Sequence, residues 1–178
     1  KNFSKFKEEL LSANLVDGLT GWRNSVLIPD THVIGESGDS FDSVELAKGC
    51  EKLKKINVAT GRYFTDADFK KENAIGSKSK PFSMILGSEF ANNQKLKVGD
   101  SYHDVNDKYY KVVGILEPNS KWFYQTVSEG NIMVIDNAVM VAYVNDPEET
   151  IMDFYSILND NVNSDDAIYK INKIAKKY

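Results

Sequence analysis

Hydrophobic residues recur at helical spacing at the start of the chain. Phe3, Phe6, Leu10 and Leu11 lie three to four positions apart, which predicts an amphipathic helix over about the first fourteen residues. A turn at DGLTG, residues 17–21, is expected to end it. A second stripe, Leu46, Cys50 and Leu53, predicts a helix from about Ser43 to Lys55 with Asp42 as its cap.

The end of the chain carries the clearest helical pattern. Ser164 is the expected cap, because acidic residues follow it in the first turn and lysines occupy the last turn, where each charge opposes the helix dipole. The apolar stripe expected to pack inward consists of Ala167, Ile168, Ile171, Ile174 and Ala175.

Short apolar runs between polar segments predict the strands. They are NSVLIP (24–29), HVIG (32–35), FSMILG (82–87), NIMVID (131–136), AVMVAYV (138–144) and FYSILND (154–160). SEFANNQ (88–94) predicts one or two helical turns, and SYHDVN with KYYKVVGIL predicts a β-hairpin turning at Asn106-Asp107. SKWFYQTVSEG (120–130) lacks a clear period and is interpreted as a long loop. The mixture indicates an α+β sandwich of mixed sheet with two lobes.

Charge and composition narrow the classes of function. The 178 residues have a net charge of −4, which argues against nucleic acid as the main partner. No Lys or Arg lies between Trp122 and Tyr169, so one part of the surface is acidic; it is either a solvated face or an electrostatic docking surface. The acidic residues are Glu129, Asp136, Asp146, Glu148, Glu149, Asp153, Asp160, Asp165 and Asp166.

The single cysteine and two histidines offer little for catalysis. Cys50 excludes an internal disulfide and is expected to be a buried filler. His32 and His103 stand alone, and Ser37 in GESG has the wrong spacing for a nucleophile elbow. The calcium-like run NDNVNSDD has Ser164 and Lys170 where an EF-hand loop needs Gly and Glu. No catalytic, cofactor or metal site is therefore predicted.

The segment GRYFTDADF, residues 61–69, admits two interpretations. Arg62, Asp66 and Asp68 could bind an ion, but Thr65 and Asp68 have the spacing of a capping box, and both acids fall in a first helical turn. We interpret this segment as structural, with an aromatic ring of Tyr63 or Phe64 anchored in the core.

Three phrases in order resemble the extracytoplasmic core domain of MacB-like and FtsX-like ABC transporter permeases. They are GRYFTDAD, the VGD phrase and YYKVVGIL, within residues 56–118. The matching positions are Gly61, Arg62, Phe64, Thr65, Asp68, Gly99, Asp100, Val113 and Gly114. Residues 1–55 and 119–150 match nothing specific, and the helix before VGD is shorter than in better-known members.

The resemblance implies one extracellular domain, residues 1–178, with residues 56–118 as one lobe and the terminal segments as the other. It would lie outside the cell membrane between two transmembrane helices of its own full-length chain. A separate ABC ATPase subunit would hydrolyse ATP, and the complete permease would form a dimer. The domain itself would be non-catalytic, without a cofactor, and would transmit motion to a protein, peptide or lipid substrate.

Trp122, Phe123 and Tyr124, beside the acidic residues, are the predicted contact with such a partner, although the same rings could instead close the gap between lobes. Two other functions stay open. One is a free-standing secreted or lipid-anchored binding protein. The other is an extracellular hydrolase that gathers His32 or His103 with distant carboxylates.

Overall fold

The computed structural model describes residues 3–27, 41–50, 56–126, 129–134, 136–142, 144 and 153–178. Its helices are α1 (Phe3–Ser12), α2 (Ser88–Asn93) and α3 (Ser164–Ala175). Its strands are β1 (Val16–Leu27), β2 (Phe41–Leu46), β3 (Val58–Gly61), β4 (Phe82–Leu86), β5 (Ser101–His103), β6 (Tyr109–Leu116), β7 (Lys121–Thr126), β8 (Glu129–Val134), β9 (Val139–Ala142) and β10 (Asp153–Leu158). A 3-10 turn covers Asp66–Phe69. No helix in these ranges is long and apolar enough to cross a bilayer.

One mixed sheet organises the described residues. Its strand order is β10-β1-β2-β9-β4-β6-β3, and β5 also pairs with β6. The β2–β9 and β4–β6 pairs are parallel, whereas the other pairs are antiparallel. β7 and β8 form a separate two-stranded hairpin. The fold is α+β with a mixed sheet, as predicted, and the division into lobes at residues 56–118 stays a prediction.

The centre of the sheet is buried on both faces. In β9, Met140 and Ala142 join a core cluster on one face, while Val139 and Val141 join a second cluster on the other. Both sets are apolar, as expected for a strand that is covered on its two sides. A third cluster joins α1, β1 and α3 through Leu10, Val16, Ile174 and neighbouring residues.

Several expected elements are confirmed. Helices form at both ends of the chain and at Ser88–Asn93, and strands form at Phe82–Leu86 and Val139–Ala142. The β5–β6 hairpin also forms, and its turn places Asp107 at φ 57°. Cys50 is fully buried and, as the single cysteine of the chain, forms no internal disulfide. The HVIG segment and Leu53 lie outside the described residues.

The helix expected over residues 43–55 is wrong where the structure describes it, because Phe41–Leu46 is strand β2. Val44 and Leu46 pair with Met140 and Ala142 of β9 and share their core cluster. Burial of alternate residues beside β9 therefore overrides the helical spacing of Leu46 and Cys50.

Two expected irregular segments are also strands. DGLTG, predicted as a turn, lies within β1, which pairs on one side with β10 and on the other with β2. The predicted loop at 120–130 contains β7, whose partner is β8. The turn residues of DGLTG misled the first prediction, because the partner β10 is remote in the chain. The second segment lacks a clear period, so its pairing with the adjacent β8 was not predicted.

The last helix is confirmed, but its cap and its inward stripe differ from the prediction. Asn163 is the N-cap, and its side-chain oxygen accepts hydrogen bonds from the backbone N–H groups of Asp165 and Asp166. Ala167 and Ile174 are buried, whereas Ile168 is 52% exposed and Ala175 is also exposed. The face of α3 that packs against α1 is narrower than the apolar stripe predicted from the sequence, because α1 covers only part of α3.

Candidate functional site

The carboxylate of Asp68 is the centre of the GRYFTDADF segment, residues 61–69, which is called the GRYFT segment below. Arg62 donates to it through both terminal nitrogens, Nη1 to Oδ2 at 2.7 Å and Nη2 to Oδ1 at 2.9 Å. The backbone N–H and hydroxyl of Thr65 donate to Oδ2 at 2.7 and 2.8 Å, which completes the predicted capping box. The Ser83 hydroxyl in β4 donates to Oδ1 at 2.5 Å. A single carboxylate therefore joins the segment to the sheet.

These hydrogen bonds set the ionisation of Asp68. Burial alone would raise the pKa of its carboxyl, but the donors Arg62, Ser83 and Thr65 outweigh that effect and lower the pKa to about 2. The pKa of Arg62 is raised, chiefly by its hydrogen bonds to Asp68. The pair stays ionised near neutral pH, which suits a fixed structural contact and not proton transfer.

The other residues of the segment have separate contacts. Phe64 is buried in the core, where its ring lies edge-on to that of Phe69 with centroids 5.9 Å apart. Tyr63 is partly buried against the same cluster. Asp66 forms an exposed ion pair with Lys48 at 2.6 Å. Asp66 and Asp68 therefore contact different cations, and the geometry does not bring them together around an ion.

The three phrases of the sequence motif meet along one edge of β6. Gly61 of β3 pairs with Gly114 of β6, and the Arg62 N–H donates to the Val113 carbonyl at 2.9 Å. Between the ends of β3 and β5, the Gly99 N–H donates to the Val112 carbonyl at 2.8 Å. The Asp100 carboxylate accepts from the Lys97 N–H at 2.9 Å and so closes the turn before β5.

An open depression of about 620 Å³ lies where these phrases meet. Ser83 and Lys111, neighbours in the β4–β6 register, contribute to it from the sheet. The rest of the lining comes from Gly61, Arg62, Asn73, Pro81, Val98, Gly99, Val112 and Val113. The sequence provided no signal for Ser83, Asn73 or Lys111, because each becomes part of the site only through strand pairing or chain crossing.

The two terminal helices lie side by side and run antiparallel. Glu9 of α1 accepts hydrogen bonds from the Lys177 ammonium and, at 2.8 Å, from the Tyr178 hydroxyl. At the other end of the pair, the Asn159 N–H donates to the Leu15 carbonyl at 3.1 Å. The start of α1 and the end of α3 therefore lie at the same end of the pair. Both helices were predicted from the sequence, whereas the role of Glu9 depends on residues at the other end of the chain.

The predicted partner-contact residues lie on the β7–β8 hairpin. Trp122, Phe123 and Tyr124 pair with Met133, Ile132 and Asn131 of β8. They are thus held on a regular hairpin outside the main sheet, and not on a loop. Their role in partner contact stays a prediction. Most of the expected acidic surface lies outside the described residues or has no described side chain; Asp160, Asp165 and Asp166 are exposed.

The described histidine is placed in a hairpin strand. His103 stacks on Tyr109, with ring centroids 4.2 Å apart, and its Nε2 lies 3.3 Å from an oxygen of the exposed Asp107. His32 and Ser37 lie outside the described residues. In the described part of the chain, no group of three or more His, Cys, Asp or Glu residues is placed to hold a metal ion.

A buried carboxylate that the local sequence pattern did not reveal closes the β5–β6 hairpin. Asp104 Oδ1 accepts from the backbone N–H groups of Asn106 and Lys108 at 2.9 and 3.0 Å, and Oδ2 accepts from the Tyr110 hydroxyl at 3.1 Å. Burial and the charge of Asp104 raise the pKa of Tyr110, and they raise that of Tyr102 to about 12. The predicted Asn-Asp turn was the available signal, since an acid two residues before it is well placed to cap such a turn.

Comparison with known proteins gives matches at the level of structure only. No protein-family model matches the sequence, and no curated protein sequence matches it. The periplasmic region of MacB from Actinobacillus actinomycetemcomitans aligns with 98% of this chain and 72% of its own, at 13% identity and a TM-score of 0.65.

A second match is the extracellular domain of the noncanonic ABC-type transporter YknZ from Gram-positive bacteria. It aligns with 97% of this chain and 83% of its own, at 15% identity and a TM-score of 0.57. The chain therefore has the fold of these periplasmic and extracellular domains, which confirms at the level of fold the resemblance carried by the three sequence phrases.

Proposed function

We propose that this chain is a non-catalytic extracellular domain of an ABC transporter permease. It transmits ATP-driven motion of transmembrane helices to a substrate or partner outside the membrane. The observation that supports this most directly is the antiparallel pairing of α1 and α3, fixed at one end by Glu9, Lys177 and Tyr178. Two transmembrane helices could continue from that end of the pair.

The attachment of these helices to the sheet supports a role in transmission. α1 leads into β1 and β10 leads into α3, and β1 and β10 are themselves paired from Val16↔Leu158 to Trp22↔Asp153. Movement of one helix relative to the other would therefore apply force to β1 and β10, at one edge of the continuous sheet. Packed elements of this kind move as rigid bodies more readily than they deform.

Other parts of the proposal follow from the fold likeness. A separate ABC ATPase subunit hydrolyses ATP, the complete permease is a dimer, and the domain lies on the extracellular face of the cell membrane. The β7–β8 hairpin with Trp122, Phe123 and Tyr124 contacts the extracellular partner, because aromatic residues are effective interface anchors.

Surface labelling of whole cells tests the location. Ser101 is exposed and Cys50 is buried, so a Ser101→Cys variant of the full-length protein provides one reactive thiol among the described residues. A membrane-impermeant maleimide should label it in intact cells, and the labelled protein should remain in the membrane fraction. Labelling only after lysis would contradict the extracellular location, and labelled protein in the medium would favour a free-standing binding protein.

Spin labels on the two helices test the transmission. Lys5 and Lys173 are exposed on α1 and α3, so cysteines there can carry labels in the full transporter with Cys50 replaced by Ala. The distance distribution between the labels should shift between the ATP-bound and nucleotide-free complexes. An identical distance distribution in both states would contradict the proposed movement of α1 relative to α3.

A further inference from the structure

The depression beside the GRYFT segment has the features of a binding site. Its lining combines two cationic residues, Arg62 and Lys111, with the apolar surface of Pro81, Val98 and Val113. Its volume of about 620 Å³ lies within the range usual for ligand pockets, roughly 300–1,000 Å³. We propose that this depression binds an extended segment of a partner protein through a carboxylate side chain on that segment.

Lys111 is the cation that is available for such a carboxylate. It is exposed on β6, and among the described residues it makes no ion pair. Arg62 differs, because its guanidinium is held by Asp68 and by the Tyr63 carbonyl at 3.0 Å. Arg62 nonetheless keeps a side chain that is 47% exposed. Arg62 therefore presents a fixed guanidinium whose charge is partly neutralised by Asp68. Lys111 presents an ammonium that has no ion pair among the described residues.

The surroundings favour an acidic ligand. The connection from the 3-10 turn to β4 supplies Asn73 and Pro81 to the lining, and it carries exposed lysines with Glu72 as the one acid in residues 70–80. These lysines are Lys70, Lys71, Lys78 and Lys80. This connection therefore carries a local excess of positive charge, although the whole chain has a net charge of −4.

The apolar rim selects among anions. Within the depression itself, one free ammonium and one compensated guanidinium match a single carboxylate. The net charge of −4 argues against a nucleic acid, which needs a strongly cationic surface. The side chains of Pro81, Val98 and Val113 can contact the aliphatic part of a Glu side chain and its neighbours in a peptide. Beside Gly99 an added Cβ would meet no atom within 4 Å, so the backbone there borders open space that a peptide can enter.

Two matched peptides test the site. The ¹⁵N-labelled chain is titrated with acetyl-Ala-Val-Glu-Val-Ala-amide and with the same peptide carrying Gln, while amide chemical shifts are followed by NMR. The Glu peptide should shift the amides of Gly61, Gly99, Lys111 and Val113. The Gln peptide should bind about tenfold more weakly, since it lacks the charge-assisted contact.

Variants of Lys111 separate charge from fold. Lys111→Glu should abolish the shifts, Lys111→Arg should retain them, and Lys173→Glu, the same charge change at an exposed site on α3, should leave them unchanged. Equal binding of the two peptides, shifts that map elsewhere, binding unaffected by Lys111→Glu, or no binding up to about 10 mM peptide would each overturn the proposal. The peptide titration does not depend on the whole-cell labelling. The proposed peptide site and the proposed extracellular location can therefore be contradicted separately.

Discussion

Gly61 and Gly114 face each other across β3 and β6, and neither position has room for a side chain. A Cβ on Gly61 would lie 2.4 Å from the Val113 carbonyl oxygen, and one on Gly114 would lie 2.4 Å from the Arg62 carbonyl oxygen. The two obstacles are backbone atoms and cannot rotate away. This close approach lets the chain pass β6 after β3, so that Asp68 can accept a hydrogen bond from Ser83 of β4.

Gly114→Ala should therefore lower the free energy of unfolding by about 3 kcal/mol, the upper part of the usual range for overpacking. Gly99→Ala is the matched control: its φ of +96° is strained for Ala, but its Cβ meets no atom within 4 Å, and a loss of about 1 kcal/mol is expected. Urea unfolding of both variants measures the difference. Equal losses would show that the contact with Arg62 relaxes freely.

Asp68→Asn should destabilise the chain by about 3 kcal/mol, because Arg62 loses its ionised partner in a partly buried position. Asp66→Asn removes an exposed carboxylate whose partner, Lys48, is 60% exposed, and its effect should be within about 1 kcal/mol. Chemical denaturation of the two variants at pH 7 tests the contrast. A small effect of Asp68→Asn would mean that the hydrogen-bond network is not important for folding.

Acid should weaken the wild-type chain through Asp68. The pKa of its carboxyl falls from 3.8 to about 2 on folding, so its stabilising contribution is complete above about pH 4 and is lost as the pH falls toward 2. The loss amounts to about 2 kcal/mol. Unfolding free energies measured from pH 5 to pH 2 should fall less steeply in Asp68→Asn than in wild type. Parallel curves would contradict this assignment.

Ile174 and Ile168 offer a matched pair on α3. Ile174 is 8% exposed against α1, whereas Ile168 is 52% exposed. Ile174→Ala should cost about 3 kcal/mol, and Ile168→Ala should change stability by less than about 0.5 kcal/mol because Ala favours helix. Thermal and urea unfolding compare them. Equal losses of stability in the two variants would indicate that Ile168 also packs inward, as the sequence predicted.

Tyr110 and Tyr102 differ in the partner of their hydroxyl groups. The Tyr110 hydroxyl donates to Asp104 at 3.1 Å, whereas the buried Tyr102 hydroxyl has no hydrogen-bond partner among the described residues. Tyr110→Phe should cost about 1.5 kcal/mol, since the acceptor is charged, and Tyr102→Phe should be neutral or slightly stabilising. Equilibrium unfolding at pH 7 distinguishes them, and a costly Tyr102→Phe would contradict the contacts described.

The sequence alone determined features that depend on neighbours along the chain. The helical spacing of Phe6 and Leu10, the capping box of Thr65 and Asp68, and the hairpin turn before Lys108 each involve residues within a few positions of one another. Their geometry follows from local sterics and hydrogen bonds. They could be predicted for that reason. The burial of Cys50 was predicted from its residue type, because an unpaired cysteine behaves as a small apolar side chain.

Tertiary structure decided what depends on distant partners. Phe41–Leu46 became a strand because β9 lies beside it, about a hundred residues away, and local spacing could not reveal that pairing. The acceptor role of Glu9 toward Lys177, the contact of Ser83 with Asp68, and the placement of Lys111 beside Arg62 likewise arise only when the sheet is assembled. The candidate site belongs to this second group, since its lining comes from five separate parts of the chain that local patterns do not connect.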